Sequence, residues 1–138
     1  MSEPTYQLRP VGRVESPLTD RDTAPKQGDE GAPLARVVFR PELCEAAADL
    51  RIGDEVLVLT WLHQSRRDVL SVHPRGDTNR SRQGVFSTRS PDRPNPIGLH
   101  AVTIAGIEDN AIAVRNLEAI DGTPVLDVKP ILGTIHER

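Results

Sequence analysis

The sequence predicts an all-β chain, most economically a compact antiparallel β-barrel of six to eight strands with one short helix. Three observations predict it. Twelve prolines and ten glycines among 138 residues disfavour long helices, because proline deletes an N–H and glycine loses backbone entropy on ordering. The apolar residues come in short β-rich runs divided by turn signals. Only one stretch has helical spacing. One domain over residues 1–138 is long enough to enclose a core. With only four aromatic residues, Tyr6, Phe39, Trp61 and Phe86, that core must be mostly Val, Leu, Ile and Ala.

Residues 6–15 are expected as a first strand, with Gly12 inside it and Ser16-Pro17 ending it. Residues 18–33 are polar and turn-rich without a period, a long loop of the kind usually kept for function or left disordered. Residues 35–39 (ARVVF) make a short strand. Pro41 then stands where a first-turn proline belongs, and Leu43, Ala46, Ala47 and Leu50 follow at helical spacing before Gly53, which predicts the one helix. Residues 55–62 (EVLVLTWL) are nearly continuously apolar, as in a strand covered on both sides, and deliver His63 and Gln64 at its end. An arginine-rich excursion over 65–82 contains a short apolar piece at 69–72. Residues 99–107 and 111–117 are strands about a turn at 108–110. Asp121-Gly122 is another turn, and 125–128 a last strand in which Asp127 and Lys129 share a face.

Charge and composition narrow the function classes. The net charge is −3, yet residues 64–93 hold seven arginines against three aspartates, a local +4, and the remainder is −7. One reading is a localised anion site for a phosphate or an RNA backbone; the other is a solvated loop kept soluble by its arginines. No run approaches the ~20 apolar residues of a membrane span, and the N-terminus has no signal-peptide core. Cys44 is alone, so neither an intrachain disulfide nor a cysteine zinc set can form, which suits a reducing, cytoplasmic setting. The histidines are not at metal spacing, and no metal is expected. Glycine-rich dinucleotide, Walker, nucleophile-elbow and zincin motifs do not occur.

The segment with the strongest chemical character is residues 86–100, FSTRSPDRPNPIGLH. Pro91, Pro94 and Pro96, with Arg89, Arg93 and Asn95, are packed into eight residues. Each proline fixes φ and biases its predecessor away from helix, so the loop is stiff, extended and rich in carbonyl acceptors. Arg89 and Arg93 could grip a carboxylate or phosphate with planar forks, or simply pair with Asp92. Asn95 could cap its own turn. His63, at a strand end, reads either as a site residue or as a histidine at the core edge. Asp121-Gly122-Thr123-Pro124 is on its face a turn.

These residues carry a resemblance. Residues 86–100 are similar to the signature of the TrmO-type (TsaA-like, YaeB-like) tRNA methyltransferases, whose members have Thr-Arg-Ser-x-x-Arg-Pro-Asn-Pro-Ile-Gly. Val11-Gly12 through Ser16-Pro17 resembles the family's opening strand, and Pro25-Lys26-Gln27 its Pro-Arg-Gln. Trp61-Leu62-His63-Gln64 resembles its strand ending in His-Gln, and residues 120–130 (IDGTPVLDVKP) its closing motif. The resemblance implies a compact β-barrel that binds S-adenosyl-L-methionine, commonly as a homodimer, and methylates N6 of threonylcarbamoyl-adenosine 3′ of the anticodon in tRNA. Carried onto this sequence, it implies cofactor contacts at Pro25, Lys26, Gln27, His63, Gln64, Arg89, Leu99, Asp121, Gly122, Thr123 and Pro124. Arg66, Arg67, Arg75, Arg80, Arg82, Arg93 and Asn95 are the expected substrate or RNA contacts. His63, Asp121 and Asp127 are the candidates for a catalytic base, and the sequence does not choose among them.

Two departures stand out. Lys26 replaces an arginine, keeping the charge but not the bidentate fork, and Val72-His73-Pro74-Arg75 stands in place of Arg-Pro-Pro-Arg. The chain is expected to be a short form without the additional C-terminal domain of longer bacterial members. Two other functions follow from the same residues: a methyltransferase of this fold acting on a small metabolite, and a non-catalytic RNA- or ligand-binding module.

Overall fold

A computed structural model describes residues 3–21, 32–73 and 77–133. Among the described residues eight strands follow in chain order: β1 (Gly12–Glu15), β2 (Ala35–Phe39), β3 (Glu55–Trp61), β4 (Ser71–Val72), β5 (Gln83–Gly84), β6 (Ile97–Ile107), β7 (Ala111–Arg115) and β8 (Pro124–Pro130). Six of them close into an antiparallel barrel in the order β1, β2, β7, β6, β3, β8, with β8 returning to β1. β4 and β5 form a separate two-stranded ribbon. The expected all-β barrel is the architecture found.

Strand alternation fills the barrel. Val14, Val37, Val56, Val58, Val102, Ile104, Ile112, Val114 and Val125 point inward and are buried. Leu117 and Ala119, just past β7, join them, and Phe39 is the aromatic residue in this core. Where a strand is paired on both sides, its main-chain polar groups bond to its neighbours.

Several expectations are corrected. The strand begins at Gly12, not at residue 6. Tyr6 and Leu8 are exposed, because Pro10 cannot donate to a ladder and no strand lies beside them. The helix is a 3-10 turn at Pro41–Ala47 with no buried residue; it lays only Ala47, with Leu50 after it, against the core. β3 is covered on one side: Val56, Val58 and Thr60 are buried, whereas Leu57, Leu59 and Trp61 are half-buried on the outer wall. β7 stops at Arg115, because Asn116 takes the left-handed conformation at φ 72°. The apolar piece at 69–72 contributes β4, whose partner β5 went unforeseen.

The strand directions settle where the connections fall. Trp61 pairs with Ile97, Thr60 with Val125 and Arg13 with Pro124. Hence the exit of β3, the entries of β6 and β8, and the exits of β1 and β7 lie at one end of the barrel. The 3-10 turn and the 108–110 turn lie at the other.

Candidate active site

That first end collects the proline loop before β6, His63 and Gln64 after β3, the 121–124 turn before β8, and residues 16–21 after β1. Residues 16–21 act as a strap across it. Asp121 N–H donates to the Leu18 carbonyl at 2.6 Å, and the Asp121 carboxylate accepts from Ser16 N–H at 3.0 Å. At its far end Arg21 donates to the Gln64 carbonyl and to both oxygens of Asp92. Asp92 also accepts from Arg66 N–H at 2.8 Å. Three segments distant in sequence thus meet at one carboxylate.

The proline loop is stiffened by two arginines. Arg93 donates to the carbonyls of Val85, Thr88 and Ser90. Arg67 donates to the Pro94 carbonyl at 2.7 Å and to Asn95 Oδ1 at 2.8 Å, with its guanidinium 5.2 Å from the centre of the Trp61 ring. Planar guanidinium forks are suited to gathering such sets of main-chain oxygens. Arg89, by contrast, is exposed and has no partner among the described residues.

The main chain at this end is spent unevenly. The N–H groups of Asp121, Gly122 and Thr123 donate to Leu18, Val14 and Ile120, and the Thr123 carbonyl accepts from Val14 N–H, so the carbonyls of Asp121 and Gly122 are those the turn leaves without a main-chain donor among the described residues. Gly122 sits at φ 83°, a conformation that glycine adopts without Cβ strain. Along β6 the situation is reversed. Leu62 N–H donates to the Pro96 carbonyl and the register continues through Thr60 with Gly98 and Val58 with His100. By antiparallel alternation the N–H and C=O of Leu99 therefore point away from β3. β7 pairs with β6 only at residues 103–107, so those Leu99 groups face an open edge.

The three base candidates differ in freedom. His63 is exposed and has no partner among the described residues. Asp121 has one oxygen committed to Ser16. Asp127 lies on the outer wall opposite Leu59, accepting from Val128 N–H with Lys129 Nζ 3.7 Å away.

The expected RNA contacts are largely engaged within the chain. Besides Arg67 and Arg93, Arg66 forms a two-bond fork with Asp68 at 3.0 and 2.9 Å, and Arg82 bonds the hydroxyl and carbonyl of Ser71. Asn95 accepts from Arg67. Arg80 is exposed, its carbonyl accepting from His73 Nδ1. The pairing of Arg66 with Asp68 holds the Asp68 carboxyl below the usual carboxylate range, through the hydrogen bond first and the charge second. Pro25, Lys26, Gln27 and Arg75 lie outside the described residues. Sequence reasoning missed Arg21, Thr60, His100 and Glu118. Arg21 sat in a stretch without pattern, and nothing about a single histidine in a strand announces a buried partner.

Comparison with known proteins adds the following. The family described as the tRNA-methyltransferase O N-terminal domain matches over residues 13–136. A probable S-adenosyl-L-methionine-binding protein of Methanothermobacter thermautotrophicus is 43% identical over 94% of this chain and 93% of its own. An S-adenosyl-L-methionine-binding protein of Archaeoglobus fulgidus is 40% identical over 88% of this chain and 86% of its own. The solved structure of TrmO from Pseudomonas aeruginosa superposes with a TM-score of 0.74 at 27% identity, covering 97% of this chain. This chain spans 61% of that longer one.

Proposed function

The chain belongs to the family of tRNA-methyltransferase O N-terminal domains, and from that premise we propose that it is an S-adenosyl-L-methionine-dependent methyltransferase acting on N6 of threonylcarbamoyl-adenosine, 3′ of the anticodon in tRNA. One observation supports this most: a single barrel end presents together a guanidinium without a partner among the described residues, an open main-chain edge and two turn carbonyls, those of Asp121 and Gly122, without a main-chain donor. That donor set fits the cofactor. Arg89 grips the methionine carboxylate. The main-chain groups of Leu99 and the carbonyls of Asp121 and Gly122 would hold the adenine, the former as donor and the latter as acceptors. Gln64 and the Pro25-Lys26-Gln27 motif complete the contacts. Bound S-adenosyl-L-methionine supplies an electrophilic methyl group on a sulfonium.

The residues of the chain then have two tasks. The first is alignment, from which up to ~7–11 kcal/mol of barrier can come; the proline loop, held by Arg67 and Arg93, suits it. The second is removal of a proton from an acceptor nitrogen conjugated to a carbamoyl group, and the unpartnered ring of His63 suits that best. A second copy covers the outer wall, where Ile97 and Leu99 remain 43% and 41% exposed beside Leu57 and Leu59. Ile97→Glu is expected to convert the homodimer to a monomer in analytical ultracentrifugation. The setting is cytoplasmic, in keeping with the lone Cys44, and no helix among the described residues is long and apolar enough to cross a membrane.

The internal engagement of Arg66, Arg67, Arg82 and Arg93 favours one alternative, a small-metabolite acceptor taken by the same cofactor site. Labelled cofactor incubated with total tRNA separates the two. Label in tRNA, together with binding that weakens steeply with salt, supports the RNA substrate. Clear calorimetric binding of the cofactor with no label in tRNA supports the metabolite. Absence of cofactor binding would leave a non-catalytic module.

A further inference from the structure

β6 is eleven residues long, yet β7 accompanies it only along residues 103–107. Past Arg115 the chain turns away at Asn116. Among the described residues no main-chain hydrogen bond joins residues 97–102 to residues 116–120. The barrel wall therefore parts beside Leu99, and a side-chain contact spans the gap instead. His100 Nδ1 lies 2.6 Å from Glu118 Oε1, and His100 Nε2 lies 2.7 Å from Thr60 Oγ1.

An ionised carboxylate only accepts, so Nδ1 carries a proton, and in the neutral ring Nε2 accepts the Thr60 hydroxyl proton. With both nitrogens bonded the imidazole cannot turn. His100 is 5% exposed and Thr60 0%, while the Glu118 side chain is 17% exposed. A buried polar contact of this kind returns little net stability after desolvation, and an apolar side chain would serve the core as well. What the contact supplies is position: Glu118 stands three residues before Asp121.

We propose that His100 is a positioning residue of the cofactor site, clamping the 118–124 segment to β6 so that the open edge at Leu99 and the carbonyls of the turn keep a fixed separation. This rests on the reading of those two elements as adenine contacts. The proline loop has its own bonds from Arg67 and Arg93 and does not depend on the clamp.

The test compares Glu118→Ala with Glu118→Gln in the full chain, since glutamine keeps an oxygen for Nδ1–H. Hydrogen exchange is read for peptides over residues 116–124 and 55–61, and affinity for S-adenosyl-L-methionine is read by calorimetry well below each unfolding midpoint. Glu118→Ala is expected to accelerate exchange about tenfold over 116–124 alone and to weaken binding about tenfold, the scale of one charge-assisted hydrogen bond. Glu118→Gln is expected to stay within about twofold of the wild type in both. Equal acceleration over 55–61 would reduce the contact to ordinary core stability and overturn the proposal, as would unchanged binding in Glu118→Ala or a glutamine variant as impaired as alanine. Should Glu118→Ala fail to fold, Thr60→Val removes the hydroxyl isosterically, and the same confined acceleration and weaker binding are required of it. A wild-type chain that exchanges slowly over 116–124 but binds no cofactor refutes the reading of the site, and with it this role, while leaving the clamp itself standing.

Discussion

Arg21 and Asp92, 71 residues apart in sequence, form a two-oxygen ion pair at 3.1 and 3.2 Å, and the pair ties the strap after β1 to the proline loop. Their side chains are only 35% and 25% exposed, so the pair is better shielded than an ordinary surface contact. Asp92→Ala loses this pair and also leaves Arg66 N–H without its acceptor. A cost of about 1–3 kcal/mol in denaturant unfolding is expected. Asp92→Asn keeps an oxygen for Arg66 N–H and should cost less. A silent alanine variant would show that the strap is held elsewhere.

The close approach of Gly98 to its neighbours gives a sharper stability prediction. A Cβ there would lie 2.4 Å from Thr60 Oγ1 and 2.7 Å from His100 Nε2. Both groups are held by their mutual bond and cannot give way cheaply. Gly98→Ala is therefore expected to cost about 1–3 kcal/mol by overpacking. Gly84→Ala, with nothing within 4 Å of the added atom, is expected to stay within about 0.5 kcal/mol of the wild type. Thermal unfolding of the two variants side by side checks this, and equal midpoints would contradict it.

What the sequence conveyed follows from the range over which each signal acts. Period-two alternation and turn residues are local, so most of the barrel strands and the 108–110 turn could be read directly. The extent of β1 and β7 could not, because Pro10 and Asn116 act by denying a partner that only the closed barrel supplies. The proline loop was legible as a rigid element, but Arg89 and Arg93 read alike in it, either gripping an anion or pairing with Asp92. Arg93 and Arg67 were read as contacts for a substrate, yet their carbonyl acceptors at Val85, Thr88, Ser90 and Pro94 supply no charge by which sequence could have matched them. The contact of His100 with Glu118 spans eighteen residues and leaves no periodic trace.

Arg66 and Asp68 yield a prediction about pH. The Asp68 carboxyl is held down chiefly by its hydrogen bond from Arg66 and then by that charge. A carboxyl lowered in the folded state contributes stability that is present above its ordinary pKa and is lost as pH falls through the lowered value. The pair should accordingly matter only above the acid range, and fade below about pH 4. Arg66→Ala is expected to raise the Asp68 midpoint toward the ordinary carboxylate value in a carboxyl-carbon NMR titration. Since both side chains are largely in solvent, the global unfolding midpoint should barely move. An unshifted Asp68 midpoint in the variant would mean that the fork does not persist in solution.

Arg89 and Arg93 stand four residues apart in one loop and should fail in opposite ways. Arg93 bonds three carbonyls and is half-buried; Arg89 is exposed with no partner among the described residues. Arg93→Ala strands those carbonyls, so it is expected to lower the unfolding midpoint. Arg93→Lys should recover little of that stability, because a point ammonium cannot reproduce the planar fork. Arg89→Ala removes no bond to a described residue and should leave the midpoint unchanged. On the proposed role of Arg89 at the methionine carboxylate, its loss should weaken S-adenosyl-L-methionine binding about 10- to 100-fold, the equivalent of ~1.5–3 kcal/mol for a charged hydrogen bond. Adenosine, which lacks the carboxylate, should bind both proteins alike. A variant that lost affinity for adenosine to the same degree would place Arg89 somewhere other than against the amino-acid end of the cofactor.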